Sequence, residues 1–235
     1  MDSRFYSLMF VALTDILGMV STPDVAFMTA QTQTVQDRKA EADRLLSIGN
    51  QQFQISQFEL AMQSWLKSFQ IYQEIHYLQG ECNLLVKLGI AQRNLGNYVK
   101  AIKYEQQALA LAEEIKDRQN QGKALGVLGI VYGNLGNYSK TINYEQKWLE
   151  IALETKDRKS ESAALANLSI AYRNLGNFDQ ATEYTLQLLA LSREIKDRKG
   201  EFSALNTLGN ISATILDLDR AIVYYNQALF TTIKL

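Results

Sequence analysis

A short motif recurs at a constant step along this chain of 235 residues. It is Leu-Gly-Asn followed by an aromatic residue, and it occupies positions 95–98, 135–138 and 175–178. A second motif, Lys-Asp-Arg, keeps the same step at positions 116–118, 156–158 and 196–198. A fixed period of about 40 residues falls in the range, roughly 20 to 50 residues, that is typical of stacked supersecondary units. We therefore expect function on a surface shared by several units rather than in one enzyme-like pocket.

Each copy of the repeat predicts two helices joined by a tight turn. In the clearest copy, 120–159, apolar residues at helical spacing mark a first helix and a second one that runs towards Thr155. Between them, Gly136 can take the left-handed conformation that ends a helix, and Asn137 can cap the next one. Asp157 is placed to cap the first helix of the following copy. The sequence thus predicts an all-α chain of antiparallel helix pairs.

Small residues recur at two positions of the repeat, where we expect the helices to approach closely. On the first helix they are Gly49, Gly89, Gly129, Ser169 and Gly209. On the second helix they are Ala61, Ala101, Ala181 and Ala221, with Thr141 as the one larger member. Because glycine inside a helix costs about 1 kcal/mol relative to alanine, glycines kept at one register indicate a packing requirement.

These positions resemble the tetratricopeptide repeat, whose pattern is W-x2-L-G-x2-Y, then A-x3-F, then P. The third copy matches the first part, with Leu in place of Trp, at Leu125, Leu128, Gly129 and Tyr132. The fourth copy matches it, with Ser in place of Gly, at Leu165, Leu168, Ser169 and Tyr172. The terminal proline is missing, and each copy is longer than the usual repeat of roughly 34 residues. The chain is thus similar to the longer variant of kinesin light chains and of cyanobacterial repeat proteins, some of which carry a caspase-like CHAT domain.

The resemblance covers residues 40 to 235 and implies a right-handed α-solenoid, a superhelix of about five helix pairs. We assign these pairs to 40–79, 80–119, 120–159, 160–199 and a shortened 200–235. Trp148 and Leu188 stand where the family favours a small alanine, so we expect altered packing around the third and fourth pairs. The first pair lacks both motifs, as is common for a terminal unit that has one face in solvent.

The resemblance also implies a function in protein binding. In this family the first helices line an inner groove that holds peptides or extended segments of partner proteins. The positions expected to face this groove are Asn83, Lys87, Ile90, Asn94, Lys123, Ile130, Asn134, Asn167, Ile170, Asn174, Asn206 and Asn210. Each asparagine amide offers a donor and an acceptor, so a row of them can bind a peptide backbone whatever its sequence. In a second interpretation, which stays open, the asparagines end helices and the neighbouring cations are solvated.

The charge balance narrows the class of partner. Lys and Arg number 24 against 25 for Asp and Glu, so no global field attracts nucleic acid or anionic lipid. Partner choice must therefore depend on local features, and the partner that the resemblance implies is a protein or peptide. Four cations on or near the groove face predict some preference for acidic peptides, namely Lys87, Arg93, Lys123 and Arg173.

The sequence offers no catalytic constellation. His76 and Cys82 are the only histidine and the only cysteine, and neither an orienting group nor an oxyanion loop accompanies them. A single cysteine also excludes a multi-thiolate metal site. Glu105 and Glu145 recur with the repeat, which suggests that both lie on the surface. We predict no enzymatic activity, no cofactor and no metal.

Residues 1–39 differ from the array and form a leader. The apolar stretch 5–20 follows Arg4, and Ala30 offers a small residue for cleavage before a polar linker, as in a signal peptide. The stretch is short for a bilayer span and contains Asp15, so we do not expect a transmembrane helix. The protein is exported if this segment is a signal peptide, and otherwise cytoplasmic.

Two alternatives to an adaptor function stay open. The last pair ends in an apolar sequence, 228–235, with no polar closing helix, which suggests a homo-oligomer that assembles through the C-terminal unit. In the other alternative, the array is a regulatory N-terminal fragment of a larger effector protein.

Overall fold

A computed structural model describes the backbone of residues 22–233 and the side chains of residues 34–231. This part of the chain forms ten α-helices and contains no β-strand. The helices are α1 (Thr22–Gln54), α2 (Phe58–Glu74), α3 (Leu78–Asn94), α4 (Tyr98–Glu114), α5 (Arg118–Asn134), α6 (Tyr138–Thr155), α7 (Arg158–Asn174), α8 (Phe178–Glu194), α9 (Arg198–Thr214) and α10 (Leu218–Ile233).

Consecutive helices form five antiparallel pairs, α1–α2 to α9–α10, and each pair contacts the next through adjacent helices. This arrangement confirms the predicted all-α solenoid. Helix α1 begins at Thr22, so the boundary that we placed after residue 39 falls inside a continuous helix. Residues 1–21, with most of the proposed signal peptide, lie outside the described part of the chain, as do positions 234–235 of the apolar C-terminal sequence.

A residue in the left-handed conformation ends each helix from α1 to α9, at a constant interval along the chain. These residues are Ser56, His76, Gly96, Lys116, Gly136, Lys156, Gly176, Lys196 and Leu216. At every turn the next backbone N–H reaches back to a carbonyl of the preceding helix, as from Asn137 to Tyr132 at 2.9 Å. This is the Schellman arrangement, and it satisfies carbonyls that a helix end leaves unpaired. The predicted role of Gly136 is confirmed.

The structure assigns a function to each residue of the Lys-Asp-Arg motif. The lysine is the left-handed residue, as at Lys156. The aspartate caps the next helix, because the Asp157 carboxylate accepts from the backbone N–H groups of Lys159 and Ser160. In two of the three copies the arginine pairs with a glutamate near the end of its own helix pair, as Arg158 does with Glu194 at 2.7 Å. In the third copy Arg198 pairs with Glu201 of its own helix at 3.5 Å. Such exposed ion pairs stabilise the fold by less than about 1 kcal/mol each.

Close helix packing occurs where the small residues predicted it. A methyl group on Gly89 would overlap the carboxyl of Glu105, and one on Gly129 would overlap the carboxyl of Glu145. In the fourth pair Ser169 occupies this register and shares a 2.6 Å hydrogen bond with the Thr185 hydroxyl. The small residue therefore makes room for a side chain at a fixed register position on the partner helix.

Trp148 changes the packing of the third pair. Methyl groups added to Gly122 and Gly126 would lie 3.3 and 2.8 Å from its ring. The two glycines therefore provide the room that the ring needs and that a small alanine at position 148 would not need. A cleft of about 310 Å³ opens beside the ring. Leu188, the equivalent residue of the fourth pair, is buried in the core cluster. Of the two, only the tryptophan therefore requires compensating glycines.

The stack of pairs curves towards its first helices. Helix α5 contacts both α3 and α7, the first helices of the adjacent pairs, whereas successive second helices contact each other less. Shorter separations on one side of a stack place that side on the inside of the bend. The face formed by α3, α5, α7 and α9 is called the inner face below.

Candidate functional site

All twelve residues that we assigned to the groove are at least partly exposed on first helices. The structure brings five of them together at the junction of the third and fourth pairs. Ile130 and Asn134 come from α5, and Asn167, Ile170 and Asn174 come from α7. The other seven lie along α3, on α5 at Lys123, and on α9.

The five residues line a pocket of about 280 Å³, called the Glu145 pocket here. Its remaining lining comes from α5, α6 and α7, namely Gly129, Gly133, Tyr138, Thr141, Glu145 and Ala171. Gly129 and Gly133 bring the α5 backbone close to α6, and Thr141 donates its hydroxyl to the Gly129 carbonyl at 3.1 Å. The two glycines thus allow α5 and α6 to pack closely in this part of the pocket lining.

Glu145 is a carboxyl group with no exposed surface at this pocket. Asn167 Nδ2 donates a 3.0 Å hydrogen bond to its Oε1, while Oε2 is buried without a partner. Burial raises the pKa of Glu145 to about 9, although the hydrogen bond from Asn167 opposes the shift. The side chain is therefore neutral near pH 7, and the expectation that Glu145 lies on the surface is wrong.

Glu105 is the copy of this residue one unit earlier, and it is also fully buried. Neither of its carboxyl oxygens has a hydrogen-bond partner. Burial raises the pKa of Glu105 well above its ordinary value, and the charge of Arg93 only partly opposes this. The surface expectation fails here too, because the carboxyl fills the space that Gly89 leaves.

A signal for these buried acids is present in the sequence, at a fixed distance after the small residue of each first helix. That position holds Trp65, Glu105, Glu145, Thr185 and Tyr225. A glycine that makes room on one helix indicates that something large fills it from the other. From its charge, a glutamate that recurs with the repeat is assigned to a solvated face. The surface prediction therefore missed that each glutamate fills the space beside a glycine.

The inner face carries two cations near its N-terminal end. Lys87 and Ile90 line a cleft of about 310 Å³ with Trp65, and the Lys87 ammonium lies 5.7 Å from the indole ring centre. Burial lowers the pKa of Lys87, and the nearby charge of Lys123 lowers it further. Asn83 and Lys123 line a neighbouring cleft of about 230 Å³. Lys87 and Lys123 thus form a positive region across α3 and α5.

The remaining three asparagines make local hydrogen bonds. Asn94 accepts from the guanidinium of Arg93 at 3.1 Å. Asn206 donates to the Phe202 carbonyl of its own helix at 3.0 Å. Asn210 accepts from the Tyr225 hydroxyl at 2.8 Å. Each amide keeps further capacity for hydrogen bonding, since it has two donor hydrogens and two acceptor lone pairs.

Other kinds of chemistry find little support in the described residues. Cys82 is buried, and burial raises the pKa of its thiol to about 12, which opposes thiolate formation. Within residues 34–231, no group of three or more His, Cys, Asp or Glu side chains is arranged to hold a metal ion. None of the ten described helices is long and apolar enough to cross a bilayer.

Helical hairpins that stack side by side and share one inner face define a helical repeat protein. Two family models of the tetratricopeptide repeat match the chain, one at residues 80–154 and one at 164–199. Together with the stacked pairs, these matches identify residues 80–154 and 164–199 as tetratricopeptide repeats. Proteins of this family act as non-catalytic scaffolds for protein interactions.

Solved structures share the fold at low sequence identity. Kinesin-light-chain-like repeats from Podosopora anserina are 14% identical, with a TM-score of 0.70 over 83% of this chain and 97% of that one. A Rap protein complexed with Competence and Sporulation Factor is 16% identical, with a TM-score of 0.65 over 82% of this chain and 54% of that one.

A third similar structure is a much larger protein. It is a signal transduction ATPase with a tetratricopeptide repeat sensor from Pyrococcus horikoshii, 20% identical, with a TM-score of 0.75 over 84% of this chain and 31% of that one. A comparison with curated proteins gives no match. At these identities the structural matches establish the fold alone.

Proposed function

We propose that the array is a scaffold that binds an extended segment of a partner protein along the inner face. The observation that carries this proposal is the Glu145 pocket, in which five residues from two successive first helices meet. Pockets of about 300 Å³ and more are typical of ligand sites. A pocket between units suits a linear partner, because the same polypeptide then continues onto the neighbouring pairs.

Exposed amides support backbone recognition on both sides of this pocket. Asn134 and Asn174 lie one unit apart at the ends of α5 and α7, and both are exposed. Each can donate to a carbonyl and accept from an N–H of an extended chain. Similar amides at Asn83 and Asn210 continue the row towards the two ends of the array.

A preference for acidic residues is part of the proposal at the N-terminal end of the inner face. Lys87 and Lys123 come from different pairs, and the charge of Lys123 disfavours that of Lys87. A carboxylate placed between them relieves this repulsion and gains two charge-assisted hydrogen bonds. The acidic residue of the partner is therefore expected beside the second and third pairs.

The experiment is a pull-down with the tagged array, followed by the double variant Asn134→Ala and Asn174→Ala. Loss of two amides is expected to weaken binding about tenfold or more, at about 1 kcal/mol for each hydrogen bond. The matched control replaces Asn143 and Asn226, which are exposed on second helices, and should retain binding. Unchanged binding in the Asn134 and Asn174 double variant would reject the groove.

A second candidate function is self-assembly through the last pair. Helix α10 exposes several large apolar side chains, which include Ile222 at 58%, Val223 at 52% and Phe230 at 66% exposure. Large apolar side chains that are exposed together favour association. Self-assembly through this surface predicts a concentration-dependent oligomer that forms without a ligand.

Sedimentation across a concentration series separates the two candidates. A chain that stays monomeric and binds a partner supports the scaffold. An oligomer that dissociates in the double variant Ile222→Lys and Phe230→Lys supports assembly through α10. An oligomer that the double variant does not change excludes the α10 surface.

A further inference from the structure

The Glu145 pocket offers acceptor atoms between apolar walls, and no Lys or Arg side chain lines it. Ile130 and Ile170 supply aliphatic surface from the two first helices, and Tyr138 lines the same space. The amide oxygens of Asn134 and Asn174 come from the same lining. Such a pocket suits a side chain with a long apolar stem and a compact group of donors at its tip.

Glu145, which lines the pocket, has one unsatisfied polar atom. Oε2 of Glu145 is buried without a partner, while Oε1 accepts from Asn167. Leaving a buried polar group unpaired costs about 1–3 kcal/mol. A ligand group that pairs with this carboxyl recovers part of that cost, so an incoming donor is favoured at Glu145.

We propose that the Glu145 pocket receives a lysine side chain of the bound polypeptide, whose ammonium group pairs with the Glu145 carboxylate. This inference rests on the proposed function, since it assigns one residue of the partner. The lysine stem lies between Ile130 and Ile170, and the remaining ammonium hydrogens reach amide oxygens of the rim. Tyr138 adds an aromatic surface near the positive charge.

Lysine fits this pocket better than arginine does. A guanidinium pairs best with a carboxylate that has both oxygens free, because it donates two parallel hydrogen bonds. In Glu145 one oxygen is already taken by Asn167, which leaves a single acceptor. A point charge with three rotatable donors matches one free oxygen in a pocket that asparagine amides also line.

Ionisation of Glu145 accompanies binding in this proposal. Gly129 on α5 and Asn167 on α7 face the carboxyl, and the pocket lining adds no second charged side chain. Since the isolated carboxyl is neutral near pH 7, pairing with an ammonium group releases its proton. Glu105 has no equivalent donor neighbour, because Val127 occupies the register position that Asn167 holds one unit later.

The experiment uses n-butylammonium, which carries the lysine side-chain group and needs no knowledge of the partner. The full chain, labelled with ¹⁵N and with ¹³C at glutamate carboxyls, is titrated near neutral pH at constant ionic strength. We expect a saturable shift of the Asn167 side-chain amide, with the Glu145 carboxyl carbon moving to its ionised position. If neither signal responds, the proposal is overturned.

Variants and related compounds make the result specific. Glu145→Gln is expected to weaken the response about tenfold or more, whereas Glu105→Gln, the buried copy, should leave it unchanged. An equal response in Glu145→Gln, or to n-butanol, would overturn the proposal, and an equal response to methylguanidinium would overturn the assignment of lysine. The two proposals can fail separately. If n-butylammonium binds but the Asn134→Ala and Asn174→Ala double variant keeps its partner in the pull-down, the lysine site in the pocket is supported and partner binding along the inner face is rejected.

Discussion

Glu105 and Glu145 occupy the same position in successive units, yet their surroundings differ. Each fills the space beside a glycine on its own first helix, Gly89 or Gly129. The difference comes from the unit that follows each glutamate. The position that is Val127 after Glu105 is Asn167 after Glu145. Glu145 therefore has one hydrogen bond, and Glu105 has none. The comparison teaches that the repeat fixes the backbone and the packing space, while single substitutions in the adjacent unit give each junction its own chemistry.

The largest expected effect is a pH dependence of stability due to Glu145. Its pKa is raised from 4.5 to about 9, so the folded state keeps a proton that the unfolded chain loses above pH 4.5. Stability from this group is thus greatest below pH 4.5 and falls as pH rises towards 9. Glu145→Gln removes this loss and should raise the unfolding free energy at pH 8 by about 3 kcal/mol.

Urea unfolding of the two proteins at pH 5 and pH 8 measures this effect. We expect the free energies of unfolding to differ little at the lower pH and clearly at the higher one. Parallel pH profiles for wild type and variant would show that Glu145 ionises normally and is not buried as described.

The second prediction removes the feature that distinguishes the two acids. Asn167→Val makes the junction between the third and fourth pairs resemble the one between the second and third pairs. It leaves the Glu145 carboxyl without a hydrogen-bond partner. The expected loss is about 1–3 kcal/mol in unfolding free energy near pH 7. Asn174→Val, at the exposed rim, should change stability by less than about 0.5 kcal/mol. Equal effects of the two substitutions would contradict a role for the hydrogen bond.

The third prediction tests the space that glycine provides for Glu145. In Gly129→Ala the new methyl group meets the carboxyl, so Glu145 must move away from Asn167. Overpacking of this kind costs about 1–3 kcal/mol, partly offset by the better helix propensity of alanine. Gly133→Ala is the control, because its methyl group meets Thr141 at an ordinary 3.4 Å. Thermal unfolding should show a lower midpoint for the first variant and an equal or higher one for the second.

The smallest effect concerns the turns, which share one backbone geometry in spite of different residues. Leu216 is left-handed with φ of 63°, and its side chain is 82% exposed. This conformation costs roughly 1 kcal/mol for a residue other than glycine. Leu216→Gly should therefore increase stability by about 0.5–1 kcal/mol, whereas Gly176→Leu should decrease it by a similar amount. A loss of stability in Leu216→Gly would indicate that the side chain contributes packing.

The sequence predicted the helix pairs, the turn residue Gly136, the cap Asp157 and the register of close packing, because these depend on local conformation and repeat with the chain. It did not predict the burial of Glu105 and Glu145. A charged residue type indicates the surface when it is considered alone, although the register position opposite a glycine indicates burial. The grouping of five inner-face residues around one pocket also needed coordinates. It depends on how far α5 and α7 separate, which is set by packing between pairs.

The regular spacing of the left-handed turns has a consequence for how such a chain changes length during evolution. A gene duplication or deletion that spans one repeat, with its ends at two equivalent turns, adds or removes one complete hairpin without altering any surviving helix. The new hairpin meets neighbours shaped like those of its parent, so it can make the same packing contacts as its parent. Later point mutations, of the kind that separate Val127 from Asn167, can then give the added junction a specificity of its own.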